Sequence, residues 1–192
     1  MNERASRKAA SHQHIVDVAS RALRRQGFHG VNVTEVMRAA GMTHGGFYGH
    51  FQSRDALLSE AVAEAGTQNL EILQGQVDRS GALGVGPFRA LIETYLSEGH
   101  VQDWESACPV SLLGSEMPRQ VSAVVEPSRG VIGNLHRLVK EVLPRGAEPD
   151  AAWTVTGALV GAVQLTRALG DDPAASAALA DVKSNLLARY DV

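Results

Sequence analysis

The stretch from Gly27 to Ser53 constrains this chain most, because helix start and stop signals recur there at intervals too short for anything but compact helices. An amphipathic helix precedes it, with Ile15, Val18, Ala19, Ala22 and Leu23 on the apolar side and Asp17, Arg21, Arg24 and Arg25 on the solvated side. Gly27 supplies its left-handed stop. Asn32-Val-Thr-Glu35 is a capping box, a side-chain acceptor followed three residues later by an acid, and Val33, Val36, Met37 and Ala40 line the two-turn helix it opens. Gly41 closes that helix, Thr43 caps a third running to about Phe51, and Ser53 caps a fourth with the stripe Leu57, Leu58, Ala61, Val62 and Ala65. Two short helices around Gly41-Met42-Thr43, leaning on a longer one, form a helix-turn-helix, a unit able to place its second helix in a DNA major groove.

The remainder continues the helical pattern. Gly75 to Gly86 predicts a loop, Pro87 to Gly99 and Ser106 to Met117 predict helices, and Val121 to Leu143 predicts one kinked or broken at Pro127. Pro149 opens an apolar helix through Leu169, and Pro173 opens the last, ending near Arg189. Strand-like alternation is almost absent, so the expected class is all-α with about nine helices.

Charge divides along the chain. Residues 1–60 hold eight Lys/Arg and five acids, 8 - 5 = +3, while the rest holds 10 - 16 = -6, which sums to the net charge of -3. Five of the seven histidines also lie in the first sixty residues. A basic head on an acidic body suits a polyanion. No run of eighteen uncharged apolar residues occurs, and Met1 to Ser11 is polar and basic, which predicts a cytoplasmic protein that spans no membrane. Cys108 is the one cysteine, so no internal disulfide, metal site or other cofactor is expected.

The segment "IVDVASRALRRQGFHGVNVTEVMRAAGMTHGGFYGHFQSRDALLSEAV" resembles the amino-terminal domain of the TetR family of transcriptional regulators. It shares that family's amphipathic helix, Gly-aromatic stop, A-A-G-M-T turn, short aromatic helix and F-x-S-R-D-x-L. The resemblance implies a helix-turn-helix DNA-binding domain over residues 1–55 and a helical ligand-binding and dimerisation domain over 56–192. It places Thr43, His44, Gly45 and Gly46 at the groove-facing start of a recognition helix. Tyr48 and His50 stand at phosphate-holding positions, Arg54 at a backbone clamp, and Thr34 and Arg38 along the preceding helix. His44 is a candidate donor to a guanine acceptor. Phe47 and Phe51 are core. Gly46 stands where the family usually has a hydroxyl and Gly49 where it often has an aromatic. With Gly45 these make three glycines in a short helix, at about 1 kcal/mol each relative to alanine. Specificity is therefore expected to lean on backbone approach and DNA shape.

The same resemblance implies a homodimer through the last two helices, a double-stranded operator as partner, and a small apolar or electrophilic effector near Tyr95, Trp104, Cys108, Leu112 and Met117. Cys108-Pro109 is similar to an element of one branch of that family, some members of which sense electrophiles; a buried, inert thiol is the competing expectation. Two other classes remain open on sequence alone: a peroxidase-like helical thiol enzyme using Cys108, and a ligand-binding scaffold without DNA function. The regulator reading makes the chain no enzyme.

Overall fold

A computed structural model describes residues 3–191. Among them every regular element is helical: α1 (Glu3–Gly30), α2 (Val33–Ala39), a 3-10 helix (His44–Gly49), α3 (Arg54–Ala82), α4 (Pro87–Tyr95), α5 (Glu98–Gln102), α6 (Pro109–Leu113), a second 3-10 helix (Met117–Arg119), α7 (Ser122–Val142), α8 (Ala151–Leu169) and α9 (Pro173–Tyr190). The expected all-α class is the observed one. Two compact units divide the chain, one of Met1–Thr67 and Trp104–Val131, the other of Gln68–Asp103 and Ile132–Val192.

In the first unit α1 breaks at Gly27, whose φ of 73° is the left-handed stop expected there. Its buried face is the expected one at Ile15, Ala19 and Leu23 only. Ile15, Val16, Ala19, Ser20, Leu23, Arg24 and Phe28 are buried, while Val18 and Ala22 are only half-buried, so the inward face is rotated by one position. Arg24 therefore lies inside, not on a solvated face, whereas Arg21 and Arg25 are exposed. The stripe of α3 packs as read: Leu57, Leu58, Ala61, Val62 and Ala65 are fully buried.

Four other boundaries differ from expectation. Helix α3 runs through Gly75 and Gly81 because Leu73 and Val77 extend its buried stripe, leaving only Leu83 to Gly86 as loop. The segment after Pro87 breaks at Leu96 and Ser97, where the Ser97 hydroxyl accepts the His100 amide and starts α5. From Ser106 to Met117 only Pro109–Leu113 is α-helical, opened by proline and followed by Gly114. Pro127 neither ends nor splits α7, since near the start of the helix it removes one backbone bond that flanking turns outweigh.

In the second unit α8 and α9 pack along each other, with Val155, Leu159, Val163, Leu179 and Leu186 buried. Asp172 caps α9 through the Ala174 amide. Arg167 of α8 donates to the carbonyls of His100, Val101 and Asp103, placing a cation on the open carbonyls at the end of α5.

Candidate nucleic-acid interface

Local sequence positions the first unit's polar groups. Asn32 Oδ1 accepts the amides of Thr34 at 2.8 Å and Glu35 at 3.4 Å, fixing the first turn of α2. The other end closes on Gly41, φ 71°, with the Met42 amide on the Met37 carbonyl and the Gly41 amide on that of Arg38, a Schellman stop. Thr43 is extended and its side chain makes no capping bond, contrary to the sequence expectation; its carbonyl takes the Gly46 amide instead. The element it opens is a 3-10 helix over His44–Gly49, not an α-helix to Phe51. Three glycines provide no propensity for the longer form, and the turn is held by Phe47 and Phe51, 2% and 3% exposed and stacked 5.5 Å apart.

Outside that aromatic floor, Thr34, Arg38, Thr43, His44, Gly45, Gly46 and Tyr48 are all exposed. Tyr48 is 73% exposed and meets Phe47 edge-on at 5.3 Å. A Cβ built at Gly45 or Gly49 meets nothing within 4 Å. Thr34 Oγ1 and His44 Nδ1 are hydrogen-bonded at 3.1 Å.

His50 and Arg54 are more enclosed. His50 is half-buried, its Nδ1 is sealed without a partner, and its ring lies 5.9 Å from that of His12. Burial, then the neighbouring His12 and Lys8, push its pKa below the ordinary imidazole value. His12 stacks on Phe51 at 4.4 Å and donates to Glu60 at 2.6 Å, tying α1 to α3. Arg54 donates through Nε to the Val31 carbonyl at 3.1 Å and through Nη2 to that of Phe28, so it holds this protein's own backbone at the end of α1.

Three residues at that helix end escaped the sequence reading. The Arg24 guanidinium, 2% exposed, donates to the carbonyls of Ala65 at 2.7 Å and Glu105 at 2.8 Å. Glu105 also pairs with Arg25 at 3.0 Å. Glu116 accepts the Phe28 amide at 3.0 Å, beside Gly27. The four-residue ladder Val16, Ser20, Arg24, Phe28, all buried, was the available signal for Arg24. The two acids lie more than eighty residues away and gave none. Between α1 and α2 runs an open groove of about 410 Å³ with Arg21, Arg25, Arg38, Glu35 and Glu105 on its walls.

The residues expected near an effector fall in both units. Tyr95, in the second, is fully buried, and its carbonyl binds His100 Nδ1 at 2.6 Å. Burial, opposed by that bond and assisted by Arg167, lowers the His100 pKa. In the first unit Trp104 is exposed, Leu112 half-buried, and Met117 and Cys108 buried. Cys108 is 1% exposed at the start of α6, and its carbonyl accepts the Ser111 hydroxyl. Such burial suits a packed thiol better than a nucleophile open to substrate. Among the described residues no cluster of three His, Cys, Asp or Glu is placed to hold a metal, and no helix is long and apolar enough to cross a membrane.

Residues 15–61 match the family described as "Bacterial regulatory proteins, tetR family". A 62-residue stretch is 39% identical to the HTH-type transcriptional regulator AcrR of Shigella flexneri, covering 31% of this chain and 29% of that relative. Over nearly the whole chain the fold is similar to the reduced form of E. coli NemR, with a TM-score of 0.75 at 15% identity, covering 92% of this chain and 95% of that one. A TetR-family transcriptional regulator from Cytophaga hutchinsonii is equally similar, with a TM-score of 0.75 at 16% identity and 96% of each chain covered. At such identities the structural likeness concerns the fold.

Proposed function

We propose that the chain, whose residues 15–61 match the tetR family and whose all-helical fold is similar to that of such regulators, is a homodimeric repressor that leaves a near-palindromic operator when a small molecule binds. Residues 1–55 hold the DNA and residues 56–192 dimerise and take the effector. The observation that carries the reading is the exposed surface of the helix-turn-helix. Thr43, His44 and Tyr48 stand clear of a buried Phe47–Phe51 floor, and Gly45, Gly46 and Gly49 let the backbone approach a groove closely. Arg38 adds a cation for phosphate oxygens, Thr34 stands exposed at the start of α2, His50 supplies an imidazole, and Arg54 acts through its grip on the end of α1.

Dimerisation through α8 and α9 is supported by an apolar face that the protomer leaves open. Trp153 and Leu165 are 58% and 60% exposed, Gly157 and Gly161 between them have nothing within 4 Å of a built Cβ, and α9 exposes the small residues Ala177, Ala180, Ser184 and Ala188. Small residues on two adjacent helices allow a second copy to pack closely as a four-helix interface. Two heads then meet successive major grooves about 34–36 Å apart. An effector needs only about 1–3 kcal/mol of differential affinity per site to release them. Trp104, Cys108, Leu112 and Met117, all of the first unit, are the proposed effector residues, and their chemistry favours an apolar compound. The compartment is the cytoplasm, where operator DNA is found.

Anisotropy titration on the promoters of its own and neighbouring genes tests the proposal. The expected result is a saturable complex with one dimer per site, weakened steeply by salt, and weakened again by the right small molecule. A purified dimer without preference for any duplex in an unbiased selection overturns it.

A further inference from the structure

Resting on the DNA-binding reading above, we propose that Thr34 positions His44 to read the acceptor edge of guanine, so that this pair sets the base preference at one step of each operator half-site. The composition of the recognition element narrows the choice. Of its six residues, Phe47 is buried and three are glycine, which leaves His44 and Tyr48 as the side chains that reach outward. His44 opens the element at the turn, beside the first turn of α2.

Thr34 is held before any DNA arrives. Its amide is fixed by Asn32 Oδ1 at 2.8 Å, and its hydroxyl lies 3.1 Å from His44 Nδ1. A threonine hydroxyl donates to an unprotonated ring nitrogen, and a neutral imidazole that accepts at Nδ1 carries its proton on Nε2, at the far side of the ring. With the hydroxyl as donor, which is the arrangement proposed, the bond sets the direction of the ring and leaves its outer nitrogen a donor. In the major groove a donor is matched by purine N7 or thymine O4, guanine offers O6 beside its N7 and is matched best, and cytosine presents a donor and is rejected. One neutral hydrogen bond corresponds to a preference of about two- to tenfold. Bare glycines at 45 and 46 remove the neighbouring side chains that would otherwise share this step. Thr34 is thus a positioning residue and His44 the reader.

The test is selection from a randomised duplex pool with the full-length dimer, then anisotropy on the selected operator and its single-base variants. The parent is expected to favour guanine and exclude cytosine at one step per half-site. Thr34→Val, which keeps the shape and loses the donor, flattens that step alone and leaves the slope of affinity against salt unchanged. His44→Ala flattens the same step, the double variant is no worse than either single one, and Thr34→Ser restores the preference. A parent that enriches an operator whose profile survives Thr34→Val and His44→Ala overturns the pair and leaves the regulator reading standing. A parent that enriches no duplex overturns both.

Discussion

Replacing Arg24 by lysine tests whether a buried guanidinium organises the first unit. The two carbonyls it serves belong to Ala65, in the middle of α3, and Glu105, ahead of α6, and it reaches both at once at 2.7 and 2.8 Å from different nitrogens. A lysine ammonium is a compact donor on a flexible stem and lacks the planar fork that spans two acceptors. It keeps one bond and loses the other. A hydrogen bond involving a charged group contributes about 1.5–3 kcal/mol, so Arg24→Lys is expected to destabilise by about 2 kcal/mol. For a chain of this length about 2–4 °C of melting temperature goes with each kcal/mol, which gives a fall of about 4–8 °C. Arg21→Lys is the control: it lies one turn away on the exposed side of the same helix, where substitutions stay within about 0.5 kcal/mol. Urea denaturation monitored by circular dichroism measures both. If Arg24→Lys lies within about 0.5 kcal/mol of the parent, the guanidinium is not what joins these segments.

At Gly27 an alanine Cβ would sit 2.7 Å from Glu116 Oε1 at a φ of 73°, so Gly27→Ala is expected to cost about 1–3 kcal/mol, and a calorimetric melt within error of the parent refutes this. Protonation is opposed at His50 and His100, whose pKa values are lowered in the folded state by burial first of all. The unfolded chain then binds more protons, so their contribution is full above the ordinary imidazole value of 6.5 and is lost as pH falls from there through the folded values. Melting temperature should drop between about pH 7 and 5, and less so in His100→Gln; a variant that tracks the parent throughout excludes His100. On α8, Gly161→Arg points into open space in the protomer and gains about 1 kcal/mol of helix propensity, yet should give monomers by sedimentation, and a stable dimer would refute the proposed interface.

Local signals carried most of the head. Caps and glycine stops at Asn32, Gly41 and Ser53 act within a few residues of themselves, which is why they are visible in a linear chain. What stayed hidden was decided at long range. Arg24 looks like solvent-facing charge until its acceptors, 41 and 81 residues on, are brought alongside. Periodicity placed the apolar face of α1 one position off because Val18 and Ala22 resemble core residues but line a surface groove. Glycines 75 and 81 suggested a loop, and the burial of Leu73 and Val77 overrode that preference. In the recognition segment the glycines had the opposite effect, since Phe47 and Phe51 fix the turn but nothing enforces α-helical geometry.

The bare backbone at Gly45 and Gly49 has a consequence for how such a protein changes its targets. Neither has a positive φ, and neither has a neighbour within reach of an added Cβ, so an ordinary side chain fits at both without disturbing the interior. Most DNA readers acquire a new recognition letter by exchanging an old one, at some cost to folding. Here two blank places wait in the segment that His44 opens, and filling either one would firm up the turn while it enlarges the vocabulary.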